Sequence, residues 1–547
     1  MPDVIVIGSG AGGLTAALAL ARAGKKVVVF EQHYLPGGWC HSFPLEGYQF
    51  SPGVHYIGAL NERGYMRGIY EGLGVSEHLV FLELNPDGYD HVRIGRETFD
   101  IPKGRDVYRE RLKQRFPREA AGIDRYLDTM HAIAVQLMKP PSIRGVRDVL
   151  ALPRRYGATL RHGWRSVERF LDTCTMDPLL RAILTIQGGD HGMPPSKCPT
   201  AMHAAVVAHY FEGGWYPKGG ARALPRAFIK ELRKHGGELH VRTPVDRVLV
   251  DRGRAVGVRL SDGTEVRADT VISNADPHVT YRHLLDEEHV PARVRRRLKR
   301  TNYSVSALSL FFATDMDLRG AGVDSGNYWY APTPGDIEGM YQQAGLPDLG
   351  ELDAVRGAFL TATTLKDPSK RRDGVHTCEA FTFVSNEAFA RWSGTATGAR
   401  PGDYHDFKAR LTDLMVGVVD EIVPGIGDRI EFKELGTPLT NTHYVAATRG
   451  NLYGTEKRLG QIGPMSYPLR TPIDGLMMCG ASTLGHGVAG ATMSGLECAR
   501  LVLGCRPRDL LRARGPTLLT LPSDRPETWP AQHRPRAPQQ GERGALA

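Results

Sequence analysis

No window of the sequence approaches the roughly 18–20 uninterrupted apolar residues that a membrane-spanning helix needs. The opening "DVIVIGSGAGGL" already reads as strand and glycine loop, which leaves no room for a cleavable signal peptide. Cysteine is scarce and scattered: Cys40, Cys174, Cys198, Cys378, Cys479, Cys498 and Cys505 form no C-x-x-C pair and no zinc-type spacing. The adjacent Cys40 and His41 lack the resolving thiol and the further ligands that redox or metal chemistry requires, so no metal site is expected. No helix-turn-helix, zinc finger or aromatic RNA-binding signature is present, which argues against a nucleic-acid partner. A reducing, cytoplasmic setting is the expectation. Nothing in the sequence indicates an oligomeric state.

What is present is a chain of 547 residues, longer than the ~250–300 at which single cores stop growing. Two domains interleaved in sequence are therefore expected. The composition, 41% apolar and 24% charged, is that of a folded globular protein. The net charge of +9 is unevenly spread, concentrated in "KPPSIRGVRDVLALPRRYGATLRHGWRSVER" (139–169) and "PARVRRRLKR" (291–300). Surface helices with solvated faces account for both, while the mix of apolar and arginine residues in "VRDVLALPRRY" and "WRSVERFLD" is also what an interfacial helix shows. Peripheral contact with the inner face of a membrane follows as an expectation for 139–169. From Arg506 onward, proline and charge without apolar periodicity predict a disordered tail.

The strongest signal is at the start. "DVIVI" (3–7) suits a strand buried in a parallel sheet, and Gly8, Gly10 and Gly13 follow in G-x-G-x-x-G spacing, with Gly12 beside them. The first glycine permits the turn, the second lets the backbone approach a pyrophosphate, and the third lets the next helix pack on the sheet. "LTAALALARAG" (14–24) supplies that helix. "KVVVF" (26–30) then forms a second strand ending at Glu31, placed to accept from ribose hydroxyls, with Gln32 next to it. Strand, glycines, helix, strand and terminal acid together predict an α/β Rossmann-type dinucleotide domain. In an NAD unit a further strand and helix of the same kind would follow, whereas here "YLPGGWCHSF" brings Gly37 and Gly38 at once.

This extended pattern resembles the flavoproteins that include amine oxidases and phytoene desaturases, which implies FAD. "YPKGGARALPRAFIKELRKHGGELHVRTPVDRVLVDRGRAVGVRLSDGTEVRADTVISNADP" (216–277) is similar to their second FAD segment. Its residues read as a helix with Leu224, Phe228 and Leu232 on one face, then short strands joined at the "SDGT" hairpin signal. The resemblance implies a backbone contact to the adenine near Val245. "DGLMMCGASTLGHGVAGATMSGLECARLVLG" (474–504) is similar to the closing FAD motif, implying cofactor contacts at Gly480, Ala481, Gly487 and Val488, where a helix N-terminus would meet the negative charge of a reduced flavin. "GVHYIG" (53–58), "YPKGG" and "PLTNTHYVAATRGNLYGTE" (438–456) look most like the phytoene desaturase, carotenoid isomerase and retinol saturase family, in its retinol saturase branch. Two positions depart from relatives: Ala481 follows Gly480 where many carry an acid, and Trp39 replaces the arginine of amine oxidases after the glycine pair.

The resemblance implies a glutathione-reductase-like FAD domain built from 1–78, 215–290 and 441–505, interleaved with a mixed-sheet substrate domain and helical lid from 79–214 and 291–440, with 506–547 as tail. It implies oxidoreduction at carbon–carbon double bonds of an isoprenoid polyene or similar lipid: saturation, desaturation or isomerisation. NAD(P)H enters only as an external electron donor, since no second glycine unit is visible. His55, Tyr56, Tyr216, His443, Tyr444 and His486 fall near the expected flavin, and His55 is the foremost candidate for a proton donor. Two alternatives carry weight: a flavin-free isoprenoid-binding chaperone on the same fold, opposed by the complete glycine set, and an amine-oxidase-like flavoenzyme, opposed by Trp39.

Overall fold

The computed structural model describes residues 1–139, 146–372, 374–512 and 514–535. Part of the basic segment (140–145) and the chain end (536–547) lie outside the described residues.

The apolar run Val4–Ile7 sits at the centre of a five-stranded parallel sheet in the order Leu476–Met478, Thr270–Ser273, Val4–Ile7, Val27–Phe30, Glu238–His240. Its members come from three separated stretches of chain. All four residues of the first strand are buried, as a strand covered on both faces must be. On one face the alanine-rich helix Ala11–Arg22 lies between Ala223–Lys234 and Gly487–Leu503. The approach is close: a Cβ on Gly495 would come 2.1 Å from the Gly12 carbonyl oxygen. The "SDGT" signal forms the expected hairpin between Arg254–Leu260 and Glu265–Arg267, with Gly263 at φ +89° and the Asp262 carboxylate accepting from Thr264 N at 2.9 Å.

A seven-stranded mixed sheet forms the second layer, in the order Ile430–Gly436, Ser306–Thr314, His376–Val384, Ala358–Ala362, Asn327–Ala331, Asp90–Ile94, Glu97–Ile101. Its one parallel pairing places Asn327 opposite Asp90, joining chain segments more than two hundred residues apart. Helices Ala120–Leu137 and Thr200–Tyr210 pack together over one end of this sheet. The fold is thus an α/β flavoprotein architecture, a parallel Rossmann-like sheet with a mixed substrate-domain sheet.

The tail expectation needs correcting for 506–535. Pro507–Leu510 is helical, Leu519–Pro522 pairs in parallel with Val80–Glu83, and Trp529 is fully buried with Nε1 donating to the Pro522 carbonyl at 2.7 Å. Leu519 and Leu521 order by pairing on a strand that is already built, which a segment's own periodicity cannot reveal. The basic helix Ala292–Arg300 buries Val294 and lays Arg297 on the Tyr467 ring at 3.9 Å, leaving Arg293, Arg296, Lys299 and Arg300 in solvent. Among the described residues no helix is long and apolar enough to cross a membrane.

Candidate active site

A large cavity of about 2460 Å³ runs from the C-terminal end of the parallel sheet to the helical layer, well above the ~300–1,000 Å³ of ordinary ligand pockets. Gly8, Gly10, Gly12, Glu31, Gln32, Gly37, Gly38, Val245, Gly480, Ala481, Gly487 and Val488 all line it. Gly13 does not. It lies beneath the loop, where a Cβ would meet the Gly8 carbonyl oxygen at 2.1 Å, so its place is helix-to-sheet packing.

The cradle is made of backbone brought unusually close. A Cβ on Gly38 would lie 3.2 Å from Gly10 Cα, and Gly37 and Gly38 both take positive φ, +122° and +54°. The helices Ala11–Arg22 and Gly487–Leu503 start at the cavity, and neither has a side-chain cap or an acidic residue in its first turn. Their free N–H groups offer positive ends to a diphosphate and to a flavin ring. The Glu31 carboxylate accepts from Ser9 N (2.8 Å), Ser9 Oγ (2.7 Å) and His33 N (2.9 Å), so it ties the glycine loop together. A carboxylate has about four acceptor positions, which leaves one for a ribose hydroxyl.

Three residues of this end went unnoticed in the sequence. Asn274 follows the fourth strand and fills the space between glycines: its amide group would block a Cβ at Gly10 (2.7 Å) and Gly12 (2.6 Å), and Cys479 Sγ donates to its Oδ1 at 3.4 Å. Buried Lys457 donates to the Ala481 carbonyl at 2.5 Å, and burial lowers its pKa to about 7. Tyr453 donates to the Gly189 carbonyl at 2.9 Å and meets His486 edge-on. Cys40 and His41 are buried in the same wall. Burial pushes the Cys40 thiol up to about 12, and it pulls the His41 imidazole down to about 4, where both are neutral at physiological pH.

Of the candidate groups, His55, Tyr56, Tyr444 and His486 line the cavity, and Tyr216 and His443 do not. His55 packs against the stacked rings of Phe359 and Phe381, its Nε2 3.1 Å from the buried Glu379 carboxylate. Tyr56 stacks on Tyr210 with centroids 4.2 Å apart. Its hydroxyl is 2.6 Å from Asp190 Oδ2 and 3.2 Å from Asp90 Oδ2. Asp90 also accepts from Gln187 Nε2 (2.7 Å) and Asn327 Nδ2 (2.8 Å), while Lys366 Nζ donates to Asn327 Oδ1 (2.5 Å) and the His55 carbonyl (2.7 Å). Burial raises Asp90 to about 6 despite these donors, raises Asp190 to about 8, and lowers Lys366 to about 7. His486 Nε2 donates to the Asp190 carbonyl at 2.9 Å, which ties this cluster to the cap of the closing helix. No local motif marks Asp90, Asp190 or Lys366; a strand start, the 3-10 turn Ile186–His191 and the short helix Thr363–Lys366 bring them together only in the folded chain.

Away from the cradle the lining turns apolar. Val135, Leu137, Met138, Trp164 and Leu484 both line the cavity and are 43–52% exposed, so the cavity reaches the surface there.

A family model for "Flavin containing amine oxidoreductase" matches residues 11–343. The chain is 33% identical over 527 residues to all-trans-retinol 13,14-reductase of Danio rerio, covering 92% of this chain and 86% of that protein. It is 26% identical over 523 residues to the chloroplastic prolycopene isomerase of Arabidopsis thaliana, covering 91% and 82%. A solved structure of wild-type putrescine oxidase with bound putrescine shares the fold at TM-score 0.61 and 16% identity, over 92% of this chain and 99% of that one. Two uncapped helix ends, a glycine cradle and a carboxylate with a vacant acceptor position suit the FAD such a family implies. This chain is a flavin-dependent oxidoreductase related to retinol saturase and carotenoid isomerase, and it belongs to the flavin-containing amine oxidoreductase family.

Proposed function

We propose that this protein oxidises, reduces or isomerises carbon–carbon double bonds in an isoprenoid polyene or similar lipid. The observation that carries this is the cavity itself, continuous from the glycine cradle to an apolar mouth and large enough for a dinucleotide and a long ligand together. Relatives named for retinol reduction and prolycopene isomerisation support the same class. FAD held at Gly8–Gly12, Glu31, Gly37–Gly38, Val245 and Gly480–Val488 supplies hydride exchange when bound. The chain's own tasks are to align an oily substrate, exclude water and hold a proton at the wall. Neither the family nor the relatives lend support to NAD(P)H, so the donor is left as a two-electron reductant.

The test is anaerobic incubation of FAD-loaded, dithionite-reduced and oxidised protein with retinol, lycopene isomers and unsaturated fatty acids. Gain of H2, loss of H2, or unchanged mass with altered retention time separates saturation, desaturation and isomerisation. Turnover of a polar amine with none of these lipids would overturn the reading.

The mouth supports a second part of this reading, attachment to the inner face of an anionic bilayer. In the segment that carries the mouth residues Val135, Leu137, Met138 and Trp164, Leu150 and Leu160 are 75% and 51% exposed, and Lys139, Arg147, Arg154, Arg155, Arg161 and Arg165 are exposed as well. Apolar side chains interspersed with arginine are what an interfacial surface needs, and a bilayer-bound mouth lets substrate enter without crossing water. Flotation with anionic vesicles should carry the protein, and Leu150→Glu with Trp164→Glu should release it. Equal flotation of the double variant would overturn this placement.

A further inference from the structure

The hydroxyl of Tyr56 has one proton and two carboxylates in reach, Asp190 at 2.6 Å and Asp90 at 3.2 Å. Both contacts are hydrogen bonds only if one carboxyl is itself protonated and donates to the Tyr56 oxygen. The surroundings decide which. Asp90 is fully buried but accepts from two amide side chains, Gln187 and Asn327, and Lys366 bonds the same Asn327, so its charged form is solvated by the protein. Among the described residues Asp190 has no donor besides Tyr56 to its side chain, and it lines the cavity where its backbone carbonyl accepts from His486 at the start of the closing helix.

We propose that Asp190, held in place by Tyr56, is the proton store of the cavity wall and the acid that completes reduction of the substrate double bond. The inference rests on the reductive form of the reading above. As the π bond breaks, one carbon takes a hydride equivalent from reduced flavin and the other takes the carboxyl proton of Asp190. The resulting carboxylate accepts from the Tyr56 hydroxyl, and a proton from solvent entering the open cavity reloads it. Among the described residues the charged and titratable groups around the pair are Asp90 on its strand, Lys366 at the end of Thr363–Lys366, Tyr210 on Thr200–Tyr210, Tyr341 on Asp336–Gln343, Tyr89, and Tyr453 and His486 from the closing segments. With Asp190 raised to about 8, the store is loaded at neutral pH and empties above it.

The test uses the full-length, FAD-loaded protein. Infrared difference spectra between about pH 6 and pH 9.5 should show a protonated-carboxyl band that disappears on alkalinisation, is missing in Asp190→Asn and survives in His55→Gln. A band that persists in Asp190→Asn overturns the assignment. Single-turnover reduction of retinol in D2O by dithionite-reduced protein should then slow by roughly 100-fold in Asp190→Asn with FAD content unchanged, the usual share of a general acid. It should slow by much less in His55→Gln, and the reverse order overturns the proposal. If wild-type protein reduces no polyene, the substrate reading fails while the infrared result still judges the proton store.

Discussion

The two ends of the cavity are built on opposite plans. The cradle is made of backbone: glycines 8, 10, 12, 37, 38 and 480 present N–H groups and open space, and each was readable from spacing within some forty residues or one closing motif. The facing wall is made of side chains, Tyr56, Asp90, Asp190, Asn327 and Lys366, drawn from five distant segments. A backbone site depends on local conformation and tolerates no added atoms. A side-chain site depends on register and charge, and tolerates change in shape better than change in protonation.

Gly13→Val attacks the first plan most severely. A Cβ at 2.1 Å from the Gly8 oxygen forces the helix off the sheet, costing at least ~3 kcal/mol by overpacking. The expected outcome is loss of the yellow colour and a clearly lower denaturation midpoint in urea. Gly38→Leu should also bleach the protein, through the 3.2 Å approach to Gly10, while disturbing the fold less. Trp529→Ala tests whether the ordered tail belongs to the fold that supports both ends. Emptying a fully buried indole pocket should cost about 3–5 kcal/mol, read in the same urea midpoint, with colour retained.

The wall should respond to pH through Asp190. Asp190 lies near 8 in the folded chain against an ordinary 3.8, so between those values the native state holds a proton that the unfolded state has released. Stability from this group is fully present below about pH 4 and declines as pH rises through about 8. Asp190→Asn removes that slope, so its melting temperature relative to wild type should rise from pH 5 to pH 8.5; parallel curves would show that Asp190 is not held protonated. The smallest effect belongs to Cys40→Ser. The thiol is neutral and buried, and the exchange should change stability by only ~1–2 kcal/mol and leave FAD content unaltered.

Much of this was legible before any coordinates. The first strand, its helix, Glu31, the "SDGT" hairpin and the helix from Gly487 all lie where periodicity and glycine spacing put them. Glu31 itself was half read: the sequence gives an acid at a strand end, but its bonds to Ser9 and His33 come from the fold. Asn274 escaped because an asparagine in "SNADP" carries no signal until the glycines close around it. The tail was misread because the pattern of Leu519–Pro522 means little without the strand at Val80–Glu83.

The sequence by itself determined the cofactor end, because glycine backbone geometry and helix dipoles are local properties that short spacing encodes. Only the tertiary structure decided the chemistry at the other end. A carboxyl keeps or loses its proton according to burial and partners, and those partners become neighbours only in the folded chain: Asp90 and Asn327 by the pairing of strands more than two hundred residues apart, Tyr56 and Asp190 where a loop meets the 3-10 turn Ile186–His191.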